Sequence, residues 1–118
     1  MSPTARSHLV RIFALGHLTR GAALLVHPEV VDRTSSGQVP PPWVVRALGL
    51  RLLAQGVIET LWPRRATLRF SCAIDVAHAA SMFGAAVMLQ PYRRAALASA
   101  TGGAASAAAA GMILRNWL

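Results

Sequence analysis

Four apolar segments of membrane-crossing length, cut apart by prolines, constrain this chain more than anything else in it. They run at about residues 8–27, 43–62, 66–90 and 95–117. Each has close to the roughly 20 residues that a helix needs to cross a hydrocarbon core of about 30 Å. Pro28, the triplet Pro40-Pro41-Pro42, Pro63 and Pro91 mark the joins. Proline lacks the N–H that a helix interior needs, and it pushes the preceding residue away from helical angles. Residues 28–42, with Thr34, Ser35, Ser36 and Gly37, read as the only substantial loop. The joins at Pro63-Arg64-Arg65 and Pro91-Tyr92-Arg93-Arg94 are tight. Short joins make sequential helices antiparallel neighbours, so the expected fold is all-α: one domain over residues 1–118, four transmembrane helices in an up-down bundle.

Composition agrees with a chain whose solvent is partly lipid. Hydrophobic residues make up 54% of the sequence and charged residues only 14%, where a soluble domain carries about a quarter. The competing architecture is a soluble Ala-rich bundle, because the first two segments each contain two arginines and score poorly as isolated spans. The fourth is free of charge from Ala95 to Leu114, and the third from Val76 to Tyr92.

All twelve basic residues are arginine, opposed only by Glu29, Asp32, Glu59 and Asp75, for a net charge of +8. Such a balance can mark a nucleic-acid protein. Here the arginines lie at helix ends, in short joins, or singly inside apolar runs, so no nucleic-acid partner is expected. Attraction to anionic headgroups and the positive-inside rule explain them better. With a cytoplasmic N-terminus, the inner side holds Arg6, Arg11, Arg64, Arg65, Arg69 and Arg115, and the outer side Arg33, Arg46, Arg93 and Arg94. This bias places a multi-pass protein in a bacterial inner membrane with both termini cytoplasmic. Trp43, Trp62, Tyr92 and Trp117 fall at helix ends, where aromatic belts sit. His8 and His27 are interfacial on the same reading. Cys72 is alone, which removes disulfide frameworks and cysteine metal sites. The first apolar stretch is broken by Arg11 and does not read as a cleavable leader.

A weak internal repeat points to repeated helical hairpins. Gly21, Gly56 and Gly84 each precede a proline by seven residues, and Val10-Arg11, Leu15 and Leu18 match Val45-Arg46, Leu50 and Leu53 at one offset. On the fourth segment Gly103, Ala107 and Gly111 recur every four residues, a small-residue face suited to close backbone approach.

The ionisable residues inside the spans are the candidate site, because a charge at bilayer depth is expensive and seeks a partner inside the bundle. At about 1.5 Å per residue, Arg20, Arg51 and His78 lie about 18 Å from the cytoplasmic ends, and His17 and Asp75 about 14 Å. Pairing by depth sets Asp75 against Arg51 or Arg20, and Arg11 against Glu59 at a shallower level. Arg51, Gln55 and Glu59 step by four along one face. The expectation is a polar seam of His17, Arg20, Arg51, Gln55, Asp75 and His78 between the first three helices, with the fourth packing on it.

Three uses of such a seam are open. It can clamp the register of helices whose apolar faces specify little. It can carry protons or ions, as midplane acids and histidines do in transporters. Or His17 and His78 can ligate a haem inside a four-helix bundle. No metal site is expected. No glycine-rich phosphate loop, H-E-x-x-H or G-x-S-x-G occurs in the sequence, and there is no lysine for a Walker motif. No enzymatic activity is therefore expected. A non-enzymatic accessory or scaffolding subunit, bound to lipids and to a larger membrane complex or its own copies, fits best. A small transporter or a haem- or quinone-associated subunit is the alternative.

Two motifs carry a resemblance. Arg46-Ala47-Leu48-Gly49-Leu50-Arg51 with Gln55 follows R-x-L-G-x-R-x-x-x-Q, and Asp75 to Met82 follows D-x-x-H-A-x-S-M. Together they resemble small four-helix integral membrane proteins common in actinobacteria, broadly DoxX-like in size and layout. The resemblance covers about half of the chain and implies a multi-span protein without an established activity. Ile74 stands where that pattern would carry valine. Small multidrug exporters have a similar length and helix number, but their first-helix carboxylate is missing here.

Overall fold

The computed structural model describes residues 2–28 and 41–117. Among them are four long α-helices and no strand: α1 (Pro3–Val26), α2 (Pro42–Leu61), α3 (Arg65–Met88) and α4 (Arg93–Arg115), with a short 3-10 turn, Gln90–Tyr92, before α4. By length and composition α1, α3 and the stretch Gln90–Arg115 can each cross a membrane. Thus α1 qualifies despite its arginines, whereas α2, with Arg46, Arg51 and Glu59, does not. Most of the expected loop, residues 29–40, lies outside the described residues.

Local chemistry sets the helix ends. Ser2 caps α1 by accepting from Ala5 N at 3.1 Å, and Pro3 occupies the first turn, where its missing N–H costs nothing. Polar residues Thr4 and Arg6 therefore join a helix that the apolar window opened only at His8. Pro42 starts α2 in the same way. Helix α2 stops before Pro63, where Arg64 N donates to Trp62 O at 2.8 Å and turns the chain into α3. Pro91 falls within the 3-10 turn that separates α3 from α4.

The four helices form two intimate pairs, α1 with α2 and α3 with α4, which touch one another less extensively. The first pair meets backbone to backbone. A Cβ on Gly21 would lie 2.7 Å from both Gly49 O and Leu53 N, and one on Gly49 would lie 2.7 Å from Gly21 O. Gly56 receives Leu18 in the same groove. Two of the glycines singled out by the repeat therefore mark this crossing, while Gly84 has nothing near it. Between α3 and α4 the order of contacts is Ala86 with Arg93, His78 with Ser99, Asp75 with Gly103, and Cys72 with Ala107.

The small-residue face of α4 is only partly used. Gly103 packs on α3, where a Cβ would meet Asp75 O at 3.2 Å and His78 Cδ2 at 3.3 Å, and Ala107 O accepts from Cys72 Sγ at 3.5 Å. Gly111 faces open space, which corrects the expectation of one continuous row. The helix turns 3.6 residues per turn, so a spacing of four drifts off the contact line. Gly111→Ala is expected to leave melting unchanged or raise stability by up to about 1 kcal/mol, because it removes only backbone freedom. Gly103→Leu must displace α3 and is expected to lower it by about 1–3 kcal/mol. Thermal unfolding of the two variants in one detergent checks the contrast.

At one end, Val10, Leu68 and Ala110 form an apolar core with Phe13, Cys72, Ile113, Leu114 and Trp117 packed around it. Arg6 lies over the Trp117 ring at 5.5 Å and ties the start of α1 to the end of α4. Farther along, the interior becomes polar.

Candidate functional site

His17, Gln55, Glu59, Ser71 and Asp75 are the buried polar side chains among the described residues, and they form one network between α1, α2 and α3. The sequence brings them together simply. Gln55 and Glu59 are four apart on α2, and Ser71 and Asp75 four apart on α3, so each pair shares a face. His17 lies on the face of α1 that carries Val10, Ala14 and Gly21 inward.

His17 is the hub. Its Nδ1 lies 2.5 Å from Glu59 Oε1 and its Nε2 lies 3.2 Å from Asp75 Oδ2. Phe13 packs edge-on against the imidazole at 4.8 Å. An imidazole with a carboxylate at each nitrogen must hold two N–H protons, or one of the acids must hold a proton. Ser71 Oγ donates to Glu59 Oε1 at 3.1 Å, and Gln55 Nε2 points at Ser71 Oγ, at Ser71 O (3.3 Å) and at Asp75 Oδ1 (3.2 Å). Arg51 Nη1 completes the network, 3.1 Å from Gln55 Oε1 and 3.8 Å from Asp75 Oδ1.

Of the expected seam, His17, Arg51, Gln55 and Asp75 are brought together. Asp75 takes Arg51, one of its two expected partners, and also His17. Arg20 turns to α4, where its Nη1 donates to Ser106 Oγ at 3.3 Å and its Nη2 lies over Gly102. His78 also turns to α4, with Nε2 and Ser99 Oγ 2.7 Å apart. Thus α4 contributes polar groups instead of only small residues. The shallow Arg11–Glu59 pair does not form. Arg11 Nε donates to Thr60 O at 3.4 Å from an exposed position, and Glu59 is fully buried against His17. Depth alone could not separate these partners, because Glu59 and Thr60 differ by one residue and about 100° around the helix. Arg11→Ala is expected to change stability by no more than about 0.5 kcal/mol. A melting shift as large as that of a buried-network variant would contradict this assignment.

Ser71, Ser99 and Ser106 were not expected in the site. Their one sequence signal is helical spacing: Ser71 is four before Asp75, and Ser99 and Ser106 are seven apart on an otherwise Ala-rich helix. Haem ligation by His17 would have to displace either Glu59 or Asp75 from a ring nitrogen, and ligation through His78 Nε2 would displace Ser99.

No protein family, curated protein or solved structure matches this chain.

One cleft adjoins the network, and a second reaches the His78–Ser99 pair. A groove of about 170 Å³ between α2 and α3 is lined by Arg51, Gln55, Glu59 and Ser71 with Phe70 and Ile74. A larger cleft of about 440 Å³ lies between the start of α2, the second half of α3 and the start of α4. Glu59 Oε2 is buried without a hydrogen-bond partner among the described residues.

Proposed function

We propose that this chain is a multi-pass protein of the bacterial inner membrane and a non-enzymatic accessory or scaffolding subunit of a larger membrane assembly or of its own oligomer. The observation that carries this reading is the inversion of inside and outside. Five polar or ionisable side chains are buried, while Ile12, Leu15, Leu50, Phe70, Phe83 and Met88 face outward. In water this distribution wastes the hydrophobic effect and isolates charge. In lipid the outer surface is matched and the polar groups satisfy one another.

The order of contacts supports an up-down antiparallel bundle. Rising positions on α1 meet falling positions on α2, from Arg11 with Thr60 to Gly21 with Gly49, and α3 and α4 behave alike. Arginine placement supports cytoplasmic termini. The two motifs shared with small actinobacterial four-helix proteins agree with this layout. Because most of the buried polar groups hold one another, the apolar exterior is the surface offered to a protein partner.

Alkaline carbonate extraction of membranes is expected to leave the protein in the pellet, and release into the supernatant sinks the membrane assignment. Extraction in a mild detergent followed by mass spectrometry is expected to recover a complex or an oligomer. A lone monomer sinks the subunit reading.

One observation favours a second reading, a proton-coupled protein. A histidine between two acids can pass a proton between them, and Glu59, with its unengaged Oε2, also lines the α2–α3 groove. Asp75→Asn separates the two readings in proteoliposomes. Normal folded yield with lost pH-driven flux supports proton coupling, and lost yield supports the clamp.

A further inference from the structure

We propose that the larger cleft binds a lipophilic monocarboxylate, its chain along the apolar walls and its carboxylate at His78 and Ser99. The inference rests on the membrane placement proposed above and is independent of the accessory role.

The shape comes first. The lining residues run from Trp43 and Tyr92 at the ends of their helices to Leu48, His78 and Ser99 farthest inward. From Leu89 to His78 this is about 16 Å along α3. Val45, Leu48, Met82 and Leu89 make the walls apolar. The polar groups converge at one place, where the His78 imidazole and the Ser99 hydroxyl share a hydrogen bond. Apolar walls with a few convergent polar groups describe a ligand site.

Charge then selects the ligand. His17 holds Glu59 and Asp75, one at each ring nitrogen. Of the two arginines nearby, Arg51 lies 3.8 Å from Asp75 Oδ1, while Arg20 has no carboxylate partner among the described residues and donates only to Ser106. Arg20 lies against Gly102 of α4, and His78 against the adjacent Gly103. Arg20 rests at Gly102, one turn beyond Ser99 on α4, and Arg51 lies one turn beyond Leu48 on α2. Arg20 is thus one helical turn from the inner end of the cleft, and Arg51 lines the neighbouring α2–α3 groove. One uncompensated positive charge at bilayer depth is costly, and one anion cancels it. A monoanion fits this balance, whereas a phosphate monoester overshoots it. The two-chain phospholipids keep their headgroups at the surface, so a carboxylate carried on a single chain is the lipid-soluble anion that can reach His78.

Equilibrium dialysis of radiolabelled laurate against the full chain in phosphatidylcholine nanodiscs tests this, with empty nanodiscs as the partition control. One saturable site per chain is expected. Lauryl alcohol, with the same chain and no charge, is expected to compete at least about tenfold more weakly. Arg20→Gln is expected to weaken laurate by a similar factor and Arg20→Lys to retain most of the binding. Leu48→Trp fills the inner end and is expected to abolish it. Alcohol binding as tight as laurate, purely non-saturable uptake, or unchanged binding in a folded Leu48→Trp variant each overturns the proposal. The alcohol comparison uses the unaltered chain, so it decides even if a variant fails to fold. Failure to bind laurate by a protein that stays in the carbonate-washed membrane overturns this inference alone.

Discussion

His17→Leu is expected to abolish most of the folded protein. The substitution keeps the volume roughly similar and leaves Glu59 and Asp75 buried without the imidazole that lies between them. Breaking a buried ion pair by deleting one partner costs about 3–5 kcal/mol, a large part of the stability of a small domain. The loss comes from the stranded charges and not from missing packing, which makes a compensated variant informative. Replacing His17, Glu59, Asp75 and Arg51 together by Leu, Met, Leu and Met removes every charge at once. That variant is expected to fold better than His17→Leu, because a well-packed apolar interior does as well as a compensated polar one. Folded yield of a fluorescent fusion and the melting temperature in detergent measure both. If His17→Leu melts within a few degrees of the parent, the network does not clamp the helices.

Gly49→Val is expected to separate α1 from α2. A Cβ at this position meets Gly21 O at 2.7 Å, Leu25 N at 2.8 Å and Leu24 Cβ at 3.1 Å. Two of these atoms are backbone and cannot rotate away, so the helices themselves must move. Over-packing of this kind costs about 3 kcal/mol or more when the backbone has to shift. Separation also pulls His17 away from Glu59, so the two losses should be coupled. A double-mutant cycle between Gly49→Val and His17→Leu is expected to show less than additive destabilisation. The control is Gly16→Ala, where an added Cβ meets nothing within 4 Å. Equal effects of Gly49→Val and Gly16→Ala would contradict the crossing.

The helices were legible because apolar length and proline punctuation are local signals. The exceptions were also local. Helix α1 begins five residues before its apolar stretch because Ser2 and Pro3 supply a cap and a first turn that hydropathy does not register. Part of the polar site was legible as well, since a charged residue in an apolar segment announces itself, whereas Ser71 does not. Most of the partners were not legible. Arg11 and Glu59 share a depth yet face different neighbours, and Arg20 chooses a serine over Asp75.

By itself the sequence determined that this chain is helical, that it forms four long segments, and that Arg20, Arg51, Asp75, Glu59 and His17 cannot face an apolar solvent. Those conclusions follow from residue type and from periodicity along one axis. Only the tertiary structure decided that His17 sits between two carboxylates, that Gly21 and Gly49 let α1 and α2 touch, and that Arg20 meets Ser106 of α4 and no acid among the described residues. The physical reason is rotation about the helix axis. Depth advances 1.5 Å per residue and can be counted, but each residue also turns the side chain by about 100°. Which neighbour it then meets depends on how closely the backbones approach.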